Sequence, residues 1–309
     1  MKQASKGNWH VLGAGAQGLL WAAALAEAQQ AVCLLDKPGR EPLSAVNYQE
    51  GESAQRMIAV TSQSLPLPAE ARRLLVTVKA TDLQYALRAL GPHVDALELV
   101  VLLQNGIGAE AIARDCLPAT TIIWLGTSTH GSFRTARNAV VHAGAGGIWL
   151  GPGRGQLPAD HHQAALVSLQ QTRLNVHWDE QIQARLWHKL AINSCINPLT
   201  ALLNCRNGEL LQHPLAAHWL PALAGEAAAV LTAIGHGLSS AELLQRVHTI
   251  AEQTASNYNS MQQDYLQQRP TEIAFITGSL LRAAAAHGLP VPHHAEMLTR
   301  VQQRQAFGV

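Results

Sequence analysis

The sequence lacks several features that mark membrane, nucleic-acid-binding or secreted proteins. Charged residues make up only 14% of the 309 residues and the formal net charge is +1. No basic block is long enough to indicate nucleic-acid binding. The apolar runs break well before the roughly 18 residues that a membrane span needs, and the N-terminus shows no apolar signal core. We therefore expect a cytoplasmic protein that uses neither a membrane nor nucleic acid as partner.

Cysteine is also scarce. The chain has four cysteines and no C-x-x-C pair, which predicts reduced, mostly buried thiols rather than disulfides. The 15 histidines are scattered, so no metal site is predicted. The hydrophobic share of 48% predicts a well-buried core, and 309 residues suffice for about two domains. Nothing in the composition selects between a monomer and a homodimer.

A glycine-rich motif near the N-terminus predicts a dinucleotide site. It follows a short apolar strand and precedes an alanine- and leucine-rich helix, and a second strand ends at Asp36. In such a G-x-G-x-x-G loop, Gly13 permits the tight turn, Gly15 lets the backbone approach a pyrophosphate, and Gly18 lets helix pack on strand. The alternative is a glycine-rich turn without a ligand. The predicted cofactor-binding loop is Gly13, Ala14, Gly15, Ala16, Gln17 and Gly18.

The end of the second strand normally selects between NAD and NADP. An acid there binds the ribose hydroxyls of NAD, and a basic residue accommodates the 2′-phosphate of NADP. This chain has both, because Asp36 is followed by Lys37, with Arg40 close behind. The residues alone therefore leave the choice open.

Apolar strands then alternate with helices up to about residue 178, which predicts a parallel sheet covered on both faces. Lys79 and Asn105 follow two of these strands, at the edge where such sheets bind ligands, although each can also be an ordinary turn residue. Segments 139–142 and 147–150 read as a hairpin that extends the sheet. The later sequence is helical throughout. We predict an α/β fold, with an N-terminal Rossmann-type dinucleotide-binding domain (1–178) and an all-α C-terminal domain (179–309).

The helical half contains an unusual polar stripe. Lys189, Asn193 and Asn197 fall at i, i+4 and i+8, which places them on one face of a helix that is otherwise apolar. Leaving an ammonium unpaired in such a place is costly, so the stripe predicts contact with a polar ligand. In the alternative, the lysine reaches solvent and the amides cap neighbouring backbone. Pro198 should kink or end the helix.

Two motifs carry a resemblance to a known family. The stripe segment WHKLAINSCINPLTALLNCRNGEL, with the N-terminal GAGAQG, resembles ketopantoate reductase (2-dehydropantoate 2-reductase). The segment NYNSMQQDYLQQRPTE is similar to the S-M-x-x-D…T-E stretch of that family. The resemblance extends from about residue 8 to about residue 304. It implies reduction of 2-dehydropantoate to (R)-pantoate by NADPH, a step toward pantothenate and coenzyme A.

The resemblance also implies roles for the polar residues. The lysine of K-L-x-x-N is the general acid, here Lys189. The stripe amides Asn193 and Asn197, the asparagine of N-G-E, here Asn207, and the serine of S-M, here Ser260, are implied to bind substrate.

Further positions are implied to contact the cofactor or its edge. Asn105 is assigned to both substrate and cofactor, and Glu272 is expected near the lysine and the cofactor. Lys79 and Ser132 match other cofactor contacts. Lys37 replaces an arginine that the family commonly has for the 2′-phosphate, and the neighbouring Asp36 would repel that phosphate. Lysine can still meet a phosphate as a point charge, although without the bidentate fork of arginine. NADPH is therefore the expected cofactor, with NADH possible because of Asp36.

Lys189 suits general acid catalysis if partial desolvation lowers its pKa from about 10.4 toward the working pH. Glu272 would act in the opposite direction. Two other functions fit the sequence. One is a related NAD(P)H-dependent reductase of another 2-keto acid or imine, and the other is a cofactor-sensing protein without catalysis. The second would be expected to have lost the lysine or the amides, and all of them are present.

Overall fold

The structure is a computed structural model and describes residues 8–307. The chain forms two compact units. The first comprises the described residues up to Gln104 together with Ala109–Ile182. The second comprises the described residues from Gln183 onward and the short segment Asn105–Gly108, which interrupts the first unit's part of the chain.

The first unit is built on an eight-stranded sheet with the order β12-β11-β8-β7-β6-β1-β2-β5. All neighbours are parallel except β11, which runs antiparallel to β8. The run β5-β2-β1-β6-β7-β8 reproduces the 3-2-1-4-5-6 strand order of the Rossmann fold. The strands are β1 (Trp9–Leu12), β2 (Val32–Asp36), β5 (Thr61–Ser64), β6 (Arg73–Val76), β7 (Leu99–Leu102), β8 (Ile122–Ser128), β11 (Ile148–Pro152) and β12 (Val176–Trp178).

Apolar strands such as β7 are buried along their whole length, because helices cover a parallel sheet on both faces. Trp9, Trp21 and Trp124 are among the largest fully buried side chains of this unit. The predicted fold class is thus confirmed.

The helices of the first unit are α1 (Ala16–Glu27), α2 (Leu83–Arg88), α3 (Ala109–Cys116) and α4 (Ala159–Gln170), with 3-10 turns at Ala80–Asp82 and Pro92–Ala96.

A second sheet of four strands was not predicted. Its order is β4-β3-β10-β9, formed by β3 (Ala45–Glu50), β4 (Arg56–Ala59), β9 (Gly131–Ala136) and β10 (Ala139–Gly144). The predicted hairpin of segments 139–142 and 147–150 is wrong, because β10 pairs with β9 and β3 whereas β11 pairs with β8. Strands β4 and β9 are largely exposed and give no apolar run to signal them.

The second unit is helical, as predicted. Its helices are α5 (Ile182–Leu203), α6 (Pro214–Ala233), α7 (Ser240–Gln253), α8 (Ser260–Leu266), α9 (Ile273–Ala286) and α10 (Pro292–Phe307), with a 3-10 turn at Gly208–Gln212. Helix α6 is long and apolar enough to cross a membrane by length and composition. A core helix meets the same criterion, and alanines of α6 lie in the core of this unit.

Pro198 does not end α5, which continues to Leu203. The helix is buried on both sides of the proline, with Cys195, Ile196 and Leu199 in one apolar cluster. This packing offsets the hydrogen bond that a proline cannot donate. Helix α7 begins with a capping box, because Ser239 Oγ accepts from Glu242 N (3.2 Å) and the Glu242 carboxylate accepts from Ser239 N (2.9 Å).

Candidate active site

A hydrogen-bonded chain of three side chains lies in the second unit. Lys189 Nζ, on α5, donates to Asn105 Oδ1 over 3.2 Å. Asn105 Nδ2 donates to Glu272 Oε2 over 3.2 Å. The amide thus turns its oxygen to the ammonium and its nitrogen to the carboxylate, which fixes its orientation. Three residues that are more than 80 positions apart in the chain are thus linked by two hydrogen bonds.

Close backbone contact holds Asn105 in this position. Ile107 N donates to Phe275 O (3.1 Å), and Ser279 Oγ donates to Ile107 O (3.0 Å), so segment 105–108 is tied to α9. Gly106 has a φ of +86°, and a Cβ there would lie 2.2 Å from Phe275 O. Only glycine meets both constraints. The Asn-Gly pair is therefore a turn whose geometry delivers a side chain to Lys189.

The environment of Lys189 lowers the pKa of its ammonium. Burial lowers the pKa and the nearby Glu272 carboxylate raises it, and the net result is a pKa of about 8. Both effects were expected from the sequence, and burial is the larger. A lysine with a pKa near 8 is still mostly protonated at neutral pH and can release its proton, which is what a general acid requires.

The other two members of the stripe are amides on α5. Residues four apart on a helix are separated by about 6 Å along its axis, so Asn193 and Asn197 follow Lys189 at one-turn intervals. Asn193 is partly buried and Asn197 is only 6% exposed. Within residues 8–303, neither side chain has a hydrogen-bond partner. Because buried amides normally find partners, these two are suited to bind a polar ligand.

Asn207 and Ser260 differ in how they are held. Asn207 Oδ1 accepts from Asn259 Nδ2 (3.0 Å), and Asn207 Nδ2 donates to Thr254 Oγ1 (2.9 Å), so both ends of this amide have protein partners. Ser260 is exposed and begins α8, which Asn259 caps by accepting from the backbone N of Gln262 (3.1 Å). The roles of Asn207 and Ser260 toward substrate stay predictions.

The predicted glycine loop occupies the turn from β1 into α1. Gly13 has a φ of +109°, and a Cβ on Gly18 would lie 1.7 Å from Gly13 O. Thr77, just beyond β6, donates from Oγ1 to Leu12 O (3.0 Å) and to Gly13 O (3.1 Å). Because β6 is the parallel neighbour of β1, the residue that follows β6 can reach the glycine loop and hold it by hydrogen bonds. Gly13 and Gly18 are thus required for packing.

Gly15 is different, and it provides the test of fit for a dinucleotide. A Cβ on Gly15 would meet nothing within 4 Å. Gly15 is also the N-cap of α1, where no side chain caps the first turn. The start of α1 therefore combines backbone N–H groups, the positive end of the helix dipole and open space, which is what a pyrophosphate needs.

Strand β9 borders this loop. Gln17 Nε2 donates to Ser132 Oγ over 3.1 Å, which brings together two predicted cofactor residues. Arg134 Nη1 donates to Ala14 O over 3.0 Å while the side chain stays exposed. Lys79 is partly buried and precedes the 3-10 turn after β6, and Lys37 is exposed after β2.

Sequence reasoning missed Thr77, Arg134 and Asn259. Thr77 supports the glycine loop, Arg134 lies on it, and Asn259 connects the N-cap of α8 to Asn207. The cap at Asn259 has a sequence signal, because Asn is favoured immediately before a helix. The other two depend on which strands are neighbours, and no local pattern reports that.

Fold and site together define a class of protein. A Rossmann unit with a dinucleotide-binding loop, followed by a helical unit that presents a lysine of lowered pKa and unpaired amides, is the architecture of a nicotinamide-dependent oxidoreductase. Described residues include no group of three or more His, Cys, Asp or Glu side chains that could hold a metal ion.

Comparison with known proteins gives the family. Residues 9–155 match the family model described as ketopantoate reductase PanE/ApbA, and residues 181–305 match the model of its C-terminal domain. A 2-dehydropantoate 2-reductase of Escherichia coli O157:H7 is 35% identical over 299 residues, which cover 96% of this chain and 94% of that protein. The chain belongs to the ketopantoate reductase family.

Solved structures of lower identity share the fold. A PanE/ApbA family ketopantoate reductase from Ralstonia eutropha superposes with a TM-score of 0.85 at 23% identity, covering 97% of this chain and 98% of that one. A ternary structure of D-mandelate dehydrogenase with NADH and anilino(oxo)acetate gives the same TM-score and the same coverage at 21% identity.

Proposed function

We propose that this protein reduces 2-dehydropantoate to (R)-pantoate with NADPH. The family assignment gives the reaction. The single structural observation that supports it best is the Lys189–Asn105–Glu272 chain, which lies one helical turn from the unpaired amide of Asn193. Each of these groups has a task in reducing a keto acid.

Lys189 is the proposed general acid. Negative charge develops on the substrate's carbonyl oxygen during reduction, and a positioned ammonium stabilises this charge and then donates its proton. Asn105 holds the ammonium in place through its Oδ1, so the proton donor does not have to be ordered during the reaction. Glu272 keeps the lysine more protonated than burial alone would allow.

Asn193 and Asn197 are the proposed substrate ligands on α5. Each amide offers a donor and an acceptor that are not used by the protein, and a ketopantoate molecule offers a carboxylate, a carbonyl and a hydroxyl. Ser260 and Asn207 are the further proposed contacts. Hydrogen bonds of this kind fix the orientation of the carbonyl rather than activate it.

The first unit is proposed to hold the dinucleotide. Residues 13–18 would meet the pyrophosphate, and Lys37, Lys79 and Ser132 would contact other parts of the cofactor, with Asn105 and Glu272 at its edge. When bound, NADPH supplies the hydride, which no protein side chain can provide. NADPH is favoured over NADH by Lys37, and the family allows either.

The direct test is the loss of absorbance at the reduced-nicotinamide band. Purified protein is mixed with ketopantoate and with NADPH or NADH in parallel. We expect rapid oxidation of NADPH. Preference for NADH would leave the reaction intact and overturn the cofactor assignment. No oxidation of either cofactor would refute the reaction.

Two variants of Lys189 test the mechanism. Lys189→Ala should lower turnover by about 10²- to 10⁴-fold, the usual range for loss of a general acid. Lys189→Arg keeps a positive charge but cannot give up its proton near neutral pH, so it separates electrostatic stabilisation from proton donation. If Lys189→Arg retained near-normal turnover, proton donation by Lys189 would be excluded.

A second candidate is a reductase of another 2-keto acid. The structural similarity to a D-mandelate dehydrogenase favours it, since the same fold can serve another substrate and NADH. A panel of 2-keto acids with branched, aromatic and linear side chains decides between the two. Ketopantoate should give the highest kcat/KM, and a better aromatic substrate would favour the second candidate. The cytoplasmic location and a monomeric or homodimeric state stay predictions.

A further inference from the structure

Asp36, the acid that could have selected NAD, already has partners within the protein. Its Oδ1 accepts from the backbone N of Lys37 over 2.7 Å. Its Oδ2 lies 3.6 Å from Nη2 of Arg137. In NAD-binding Rossmann folds this carboxylate binds the ribose hydroxyls. Here each carboxylate oxygen is paired with a donor of the chain itself, and one of those donors is a cation.

Arg137 comes from a distant part of the sequence. It lies in the turn of the β9–β10 hairpin, in the second sheet of the first unit. Its guanidinium also donates to Glu41 O, in the loop that follows β2. The hairpin turn therefore contacts both the end of β2 and the loop that follows it. The side chain of Arg137 is still 38% exposed, so part of its planar fork can contact a ligand.

The loop after β2 adds two more cations. Residues 37–40 form a turn with Pro38 at the second position, Gly39 at a φ of +75°, and a bond from Arg40 N to Lys37 O (3.4 Å), as in a type II turn. Ser64 Oγ donates to Arg40 O (2.7 Å) and anchors the turn to β5. Lys37 and Arg40 are exposed, and neither side chain has an ion-pair partner among the described residues.

Counting charges at the end of β2 then decides which ligand fits. Asp36 and Glu41 carry two negative charges here, and Arg137, Lys37 and Arg40 carry three positive ones. The neighbourhood therefore has a net positive charge although it contains an aspartate. A neutral ribose with free hydroxyls gains little from such a field. A phosphate gains a charge-assisted hydrogen bond from each cation that reaches it.

We propose that Arg137 is a specificity-determining residue for NADPH, and that it binds the 2′-phosphate together with Lys37. Asp36 serves as the counter-ion that orients Arg137 and not as a ribose ligand. This inference rests on the proposed use of a nicotinamide dinucleotide. It explains how a chain with an aspartate at the NAD-selecting position can still prefer NADPH.

The test measures binding of two fragments to the full-length protein by titration calorimetry. Adenosine 2′,5′-bisphosphate carries the 2′-phosphate, and ADP lacks it. Arg137→Met should weaken binding of the 2′-phosphorylated fragment by about 10-fold, the loss expected for one charge-assisted hydrogen bond at a partly exposed site. Binding of ADP should change much less. The ratio of the two dissociation constants is the readout.

Two further variants make the result specific. Arg56 lies on β4 of the same small sheet, and its Nη2 is 3.0 Å from Glu27 Oε1. Arg56→Met is therefore the matched control, and it should leave the ratio unchanged. Asp36→Asn should tighten binding of the 2′-phosphorylated fragment by a few-fold, because a repelling charge is removed.

The outcomes separate the possibilities. An unchanged ratio in Arg137→Met, or equal losses for both fragments, would overturn the proposal and leave Arg137 as a support for the loop. Weakened binding of ADP, which keeps the free ribose 2′-hydroxyl, in Asp36→Asn would identify Asp36 as a ribose ligand and also overturn the proposal. The fragments require no keto acid, so failure of ketopantoate reduction alone would refute the proposed reaction and not this inference.

Discussion

The pH dependence of ketopantoate reduction should report the environment of Lys189. Burial and Glu272 act on its pKa in opposite directions, and the result is about 8. Reduction requires the protonated lysine. The logarithm of kcat/KM should therefore be level below pH 8 and fall with a slope of −1 above it. Replacing Glu272 with glutamine removes the effect that raises the pKa.

The expected size of the change follows from the geometry. Asn105 contacts both Lys189 and Glu272 at 3.2 Å, so the carboxylate and the ammonium are neighbours. An opposite charge within about 4–6 Å changes a pKa by about one to three. We expect the break in the profile of Glu272→Gln to move about one pH unit lower. Each rate is compared with the plateau of the same enzyme at low pH. At pH 9 the fraction of the plateau rate that remains should then be about tenfold smaller in the variant than in the wild type.

The assay measures kcat/KM from pH 5.5 to 10 by loss of reduced-nicotinamide absorbance. Glutamine preserves the size of the side chain and can still accept a hydrogen bond from Asn105. The reverse reaction serves as an internal control, because oxidation of pantoate needs the deprotonated lysine and its rate should rise through the same pKa. Lys189→Arg should show no break near pH 8.

Two results would refute this reasoning. If the break in Glu272→Gln stayed in place, the carboxylate would not act on the proton donor. If the break moved to higher pH, the sign of the interaction would be wrong. A uniformly lower rate with an unchanged profile would indicate that Glu272 orients a ligand and does not tune Lys189.

Three further predictions concern the loop and the stability of the fold. Gly15→Ala should keep the melting temperature but weaken NADPH binding, whereas Gly18→Ala should also unfold at lower temperature because its Cβ would clash with a backbone oxygen 1.7 Å away. Lys189→Met should raise the free energy of unfolding by about 1–2 kcal/mol below pH 8, because the folded pKa of Lys189, about 8, lies below the unfolded value of 10.5. This gain should vanish as the pH rises toward 10.5. Urea unfolding at several pH values measures it. Burial raises the pKa of Glu226, but hydrogen bonds from His294 and His293 outweigh this effect and lower the pKa to about 2. The contribution of this carboxylate to the free energy of unfolding should therefore be lost between pH 4.5 and 2 in the wild type. The same loss should be absent from Glu226→Gln in the same titration.

Local sequence patterns determined much of this protein. The glycine spacing from Gly13 to Gly18 requires a tight turn between a buried strand and a helix, because a side chain at either position would clash. The i, i+4, i+8 spacing from Lys189 to Asn197 fixes one helical face. Ser239 and Glu242 fix the start of α7. Each of these is a rule about residues close together in the chain, so sequence alone suffices.

Only the tertiary structure decided which strands pair and which distant residues meet. Strand β9 has no apolar run, yet its position places Arg134 on the glycine loop. The contact of Arg137 with Asp36 joins residues 101 positions apart, through a hairpin turn that no local pattern links to β2. The orientation of Asn105 toward Lys189 depends on backbone contact between Gly106 and Phe275. These contacts depend on how whole strands and helices pack against one another. Packing of that kind is a property of the folded chain and cannot be derived from residues that are close together in the sequence.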